Sequence, residues 1–64
     1  MNQSDLLISI ENSASFIAEH MGTGEVDWIL AQYHARSIED LNPSEYEAVF
    51  SELFQREADL RSDL

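Results

Sequence analysis

Between Leu6 and Met21 the apolar residues Leu6, Leu7, Ile10, Ala14, Ile17 and Met21 recur at spacings of three and four. That spacing gathers them on one side of an α-helix and would scatter them across both faces of a strand. The run Leu6-Leu7-Ile8-Ser9-Ile10 alone would suit an extended segment, but its continuation keeps the helical period. The predicted helix runs over about 5–21, with Ser4 or Asp5 as its cap. Ile8, Phe16 and Ala18 widen the apolar surface beyond one stripe, so the helix is buried on two sides or offers apolar surface to a partner. Asn12-Ser13 is a soft spot, because short polar side chains compete for backbone hydrogen bonds.

Met21-Gly22-Thr23-Gly24 ends this segment, with Gly22 able to take a positive φ and Thr23 able to cap the next helix. That second helix is expected over 24–34, with Val26, Ile29, Leu30 and Tyr33 on its inner face and Trp28 beside that stripe. Glu25 and Asp27 in its first turn, and His34 and Arg36 at its end, match the sign of the helix dipole. Ser37-Ile38-Glu39-Asp40-Leu41 has the spacing of a single capped turn, pinned by Ile38 and Leu41. Asn42-Pro43-Ser44-Glu45 is the clearest local signal: a cap, a proline at the first helical position, and an acid that can reach back. Leu41 and Tyr46 bracket it as a hydrophobic staple.

The third helix is expected over 43–61. Tyr46, Val49, Phe50, Leu53, Phe54 and Leu60 form its apolar side, with Ala58 on the flank. Glu52 with Arg56 and Glu57 with Arg61 are four apart in the favourable order. Glu45, Glu52, Asp59 and Asp63 occupy the outer face, and the last two repel each other near a terminus expected to fray. The fold class is therefore all-α: a small three-helix bundle forming one domain over 1–64, with an extra short helical turn at 37–41.

For 7.3 kDa, size relations give a folded surface of about 4,200 Å² and about 6,400 Å² buried on folding. Burial then contributes about 95 kcal/mol against about 96 kcal/mol of ordering cost. The terms cancel, so a partner surface or self-association is physically plausible. Thirteen acids against three arginines and no lysine give a formal charge of −10. Direct binding to nucleic acid or to an anionic membrane is disfavoured, since both need clustered cations. A basic protein surface is the expected partner. The absence of cysteine excludes disulfides and thiolate metal sites. The start, Met1 to Asp5, lacks the basic segment and apolar core of a signal peptide, so the expected location is cytoplasmic.

Gly22-Thr23-Gly24 lacks the lysine and preceding strand of a phosphate-binding loop, and Glu25 and Asp27 would repel such a ligand. His20 and His34 with Glu19, Glu25 or Asp27 match no helical metal motif. Ser13 and Ser15 are tied to no histidine and read as helix-surface residues. Neither a cofactor nor a catalytic residue is expected. Six rings in so short a chain, ringed by acids, point instead to a protein-binding surface. Tyr46, Phe50 and Phe54 are assigned to the core, while Phe16 and Trp28 are the candidate anchors, Trp28 foremost. Glu45, Glu52 and Asp59 form a candidate acidic row with steps of about 10.5 Å. That is wider than adjacent phosphates, so imitation of nucleic acid is a narrower alternative, and a homo-oligomeric structural protein is another.

Glu11-Asn12-Ser13-Ala14-Ser15-Phe16-Ile17-Ala18-Glu19-His20-Met21-Gly22-Thr23-Gly24, then Ser37-Ile38-Glu39-Asp40-Leu41-Asn42-Pro43 and Phe50-Ser51-Glu52-Leu53, resemble small acidic proteins carried by conjugative elements and transposons of Gram-positive bacteria. The resemblance covers nearly the whole chain and assigns no role to individual residues. It implies an accessory or regulatory role in a mobile element, with a partner in transfer, regulation or host defence.

Overall fold

In the computed structural model, which describes residues 3–62, the helical periods of the sequence become three helices: α1 over Gln3–Met21, α2 over Thr23–Ala31 and α3 over Tyr46–Ser62. Two short 3-10 turns, Ile38–Asp40 and Pro43–Glu45, lie in the connection, and the second runs directly into α3. The fold is all-α, with no strand among the described residues. Asp63 lies outside the described residues.

Several ends differ from expectation, each for a local reason. Helix α1 begins before Ser4, so Ser4 and Asp5 belong to its first turn, where the Asp5 charge faces the exposed amides. Gly22, not Thr23, is the N-cap of α2, and no side chain caps it. Its φ of 88° and ψ of 164° fall in a region open essentially to glycine. A side chain there would meet nothing in space, so the requirement is torsional. This one residue ends α1, with its N–H on the Ala18 carbonyl, and starts α2.

Helix α2 stops at Ala31, three residues short of the expected end, because His34 adopts a left-handed φ of 60°. The Ala35 N–H returns to the Leu30 carbonyl and the His34 N–H to the Ala31 carbonyl, the paired bonds of a Schellman stop. Ala35 and Leu30 are both buried in the core, supplying the apolar contact that accompanies such a stop. The turn at 37–41 exists, but Ser37 makes no side-chain cap; Asp40 Oδ2 instead accepts from the Arg36 N–H at 3.1 Å. Asn42 does cap the next segment, its Oδ1 accepting from both the N–H and the hydroxyl of Ser44 at 3.0 Å.

Side-chain pairings fix the directions. Ser13 meets Glu57 and Phe16 meets Arg61, advancing together, so α1 and α3 run the same way. Glu25 meets Arg56 and Tyr33 faces Glu52 and Glu45, so α2 runs against α3. Helix α1 is the central element, packing most extensively on α3 and next on α2.

The core consists of Leu6, Ile10, Ala14 and Ile17 from α1, Val26, Ile29 and Leu30 from α2, Val49 and Leu53 from α3, and Ala35 and Leu41 from the connection. Among the described residues no aromatic ring is fully buried. Tyr33, Tyr46 and Phe50 pack around the aliphatic cluster with Ile38 and Leu60, whereas Phe54, assigned to the core by its period, is 55% exposed. Met21, expected in the α1 stripe, is also exposed. The Cα envelope is only 14 Å across its thinnest direction, little more than one helix with its side chains. A bundle that thin has room for branched aliphatic side chains and not for six rings.

Ile17→Ala, at a fully buried site, should cost about 2–5 kcal/mol and leave most molecules unfolded at 25 °C. Ile8→Ala, at a half-exposed site on the same helix, should change stability by no more than about 0.5 kcal/mol. Urea denaturation followed by circular dichroism checks both.

Candidate functional site

Trp28 projects from α2 with 58% of its surface exposed, because the inner stripe of the helix falls on Val26, Ile29 and Leu30 and leaves position 28 on the flank. It is not isolated. Arg56 of α3 lies over its ring, the guanidinium carbon 5.5 Å from the ring centroid, and the same guanidinium is ion-paired with Glu25 of α2. The expected bond between Glu52 and Arg56 is therefore not the one made. Arg56 reaches across to the neighbouring helix, where a carboxylate and an aromatic face hold it together. Partly exposed, the ion pair contributes about 0.2–1 kcal/mol and the ring contact about 0.5–1 kcal/mol.

Phe16, the other candidate anchor, is half-buried and already covered. The Arg61 guanidinium carbon sits 4.4 Å from its ring centroid, and the His20 ring stacks on it at 4.2 Å. His20 Nδ1–H donates to the Phe16 carbonyl oxygen at 2.9 Å, fixing the stack. Arg61 is held by Glu57 at 2.9 Å, and the other Glu57 oxygen accepts from the Ser13 hydroxyl at 2.8 Å. Ser13, read from sequence as a surface residue, is thus buried and bonded across helices. With its hydroxyl engaged by Glu57, it does not compete with the backbone, and α1 continues unbroken through Asn12-Ser13.

The acidic row divides. Asp59 is exposed, while Glu45 and Glu52 are half-buried and face Tyr33. The Tyr33 hydroxyl is held above its ordinary value, first by burial, then by the Glu52 carboxylate and last by that of Glu45. Glu52 Oε2 is sealed from solvent without a hydrogen-bond partner.

Two depressions bear on function. One, of about 480 Å³, is lined by Met21 at the end of α1 and by Glu52, Gln55, Arg56, Asp59 and Leu60 of α3. Arg56 also lines the shallow hollow at Trp28, so the two are contiguous. The other lies between the starts of α1 and α3, with Leu6, Phe50 and Phe54 as its apolar lining and Glu47 as its acid. The Phe50 and Phe54 rings are 5.7 Å apart there. Sequence reasoning missed Met21, Gln55 and Phe54 as surface residues. Only the position of Met21 beside the helix-ending glycine could have flagged it, since a stripe residue at a helix end outruns its neighbours.

No family model, curated protein or solved structure matches this chain. Among the described residues no group of His, Asp and Glu is arranged to hold a metal ion, and no helix is long and apolar enough to cross a membrane.

The raised Tyr33 value has a consequence for stability. A folded state that holds this proton more tightly than the unfolded chain has a contribution that is complete below about pH 10 and lost as pH rises through the folded value. Urea midpoints measured from pH 8 to 11.5 should therefore fall above about pH 10, and Tyr33→Phe should flatten that decline. Equal declines in both proteins would refute the assignment to Tyr33.

Proposed function

We propose that this chain is a noncatalytic protein-binding or regulatory module whose contact face is centred on Trp28. One observation carries the reading. In a chain with so little apolar material to spare, a tryptophan is left mostly exposed, propped by an Arg56–Glu25 pair and bordered by exposed Met21 and a hollow containing Asp59. Exposed aromatic anchors with charged rims are what interfaces use, and a formal charge of −10 favours a basic partner. The resemblance to proteins of mobile elements supports an accessory role in such an element, and a cytoplasmic location accords with it.

A second reading, self-association, is favoured by the Leu6, Phe50 and Phe54 groove, where one carboxylate, Glu47, stands among apolar residues. Mimicry of nucleic acid has less support, because Glu45 and Glu52 are half-buried and do not form an exposed row with Asp59.

Affinity capture from nuclease-treated source cells, with wild-type and Trp28→Ala baits in parallel, tests the first reading. One enriched basic protein, lost with Trp28→Ala, is the expected result. Recovery of the bait alone at low and moderate salt, with a light-scattering mass of a dimer or larger, would overturn it in favour of self-association.

A further inference from the structure

The hollow between the end of α1 and the second half of α3 combines an apolar wall with an uncompensated acidic side. Met21 and Leu60 supply the wall, and Glu52 and Asp59, about two turns apart on α3, supply the charge. The cation best placed by sequence to neutralise Glu52 is Arg56, four residues on, but it is engaged by Glu25 and lies over Trp28. Neither Glu52 nor Asp59 forms an ion pair among the described residues. Glu52 Oε2 also has no hydrogen-bond partner while sealed from solvent, and a buried acceptor without a donor is costly to leave so. Rotation about the terminal carboxylate torsion, which is soft, is enough to turn that oxygen toward a donor in the hollow.

An occupant that satisfies all these features has an alkyl stem to lie along Met21 and Leu60 and several donors with positive charge at its tip. Arginine and lysine side chains are built this way, and they bury their stems while directing the head group to a polar partner. Arginine matches best, because its fork can serve the carboxylate while its plane continues the run of guanidinium and indole begun by Arg56 and Trp28.

We propose that this hollow is the docking site for a basic side chain, an arginine, presented by an apolar-basic segment of the protein partner, with Glu52 as its principal acceptor and Asp59 as its outer counter-charge. The proposal rests on the reading of the Trp28 face as a protein-binding surface and specifies the chemistry of what binds there.

The probe is a capped peptide of alternating leucine and arginine, titrated into the uniformly 15N-labelled chain and followed by two-dimensional NMR. Its control replaces each arginine by citrulline, which keeps the shape and loses the charge. Shifts should concentrate at Met21, Glu52, Gln55, Asp59 and Leu60, and citrulline should abolish them. Glu52→Gln should weaken binding about tenfold, the scale of one charge-assisted hydrogen bond, and exposed Asp59→Asn should weaken it less. Glu39→Gln, which removes the same charge in the distant connection, should leave affinity unchanged. Shifts spread over every acidic face, with Glu39→Gln as damaging as Glu52→Gln, would overturn the proposal, as would no binding at millimolar peptide. A cellular partner lost with Trp28→Ala, combined with no peptide binding, would overturn the arginine assignment and leave the protein-binding reading standing. Peptide binding in the hollow with no cellular partner would do the reverse.

Discussion

The structure depends on a core that is small and aliphatic. Eleven apolar side chains are buried, drawn from all three helices and the connection, and among the described residues none is aromatic. Their closeness sets the 14 Å thickness of the molecule, and that thickness keeps every ring at the margin. The folded surface of 4302 Å² is close to the roughly 4,200 Å² of a compact chain of this mass. The bundle is therefore as well folded as its size allows, and its exposed rings do not come from loose packing. Such a domain has little surplus stability, so apolar surface left outside the core stands out as unabsorbed by folding.

With the core settled, the few cations organise its margins. Two of the three arginines carry contacts between helices: Arg56 joins α3 to Glu25 and Trp28 of α2, and Arg61 joins α3 to Phe16 of α1 while bound to Glu57. Each uses its charge on a carboxylate and its plane on a ring, a combination lysine would serve less well. The result is that acids elsewhere have no cation left to pair with. The charge of −10 is consequently uneven in its effect: neutralised along the α2–α3 and α1–α3 seams, and unopposed in the hollow beside Met21 and Leu60.

The class of fold was legible because its evidence is periodic. The 3.6-residue spacing of Leu6, Ile10, Ala14 and Ile17, and the cap at Asn42-Pro43, depend on near neighbours in sequence. The misreadings share a cause, which is that they turned on distant partners. Ser13 looks like a surface residue until Glu57 is known to stand opposite. Arg56 looks paired with Glu52 until Glu25 and Trp28 arrive from another helix. Phe54 fits the apolar stripe of α3, yet α1 is too far round to cover it. The end of α2 was missed because His34 takes a left-handed conformation that composition would assign to glycine, and the buried contact of Ala35 with Leu30 that supports it is invisible to a local rule. The candidate site was legible in one residue, Trp28, read from its offset from the inner face of α2. Its surroundings, Met21 and the unpartnered Glu52 oxygen, emerge only from three-dimensional packing.

Trp28 is the sole tryptophan, so intrinsic fluorescence reports on it alone, and acrylamide quenching in native buffer against urea tests the account directly. An aliphatic core with the indole outside predicts red-shifted native emission and quenching close to that of the unfolded chain, while circular dichroism still shows full helicity. Blue-shifted emission strongly protected from acrylamide would place the ring inside the bundle and contradict the account.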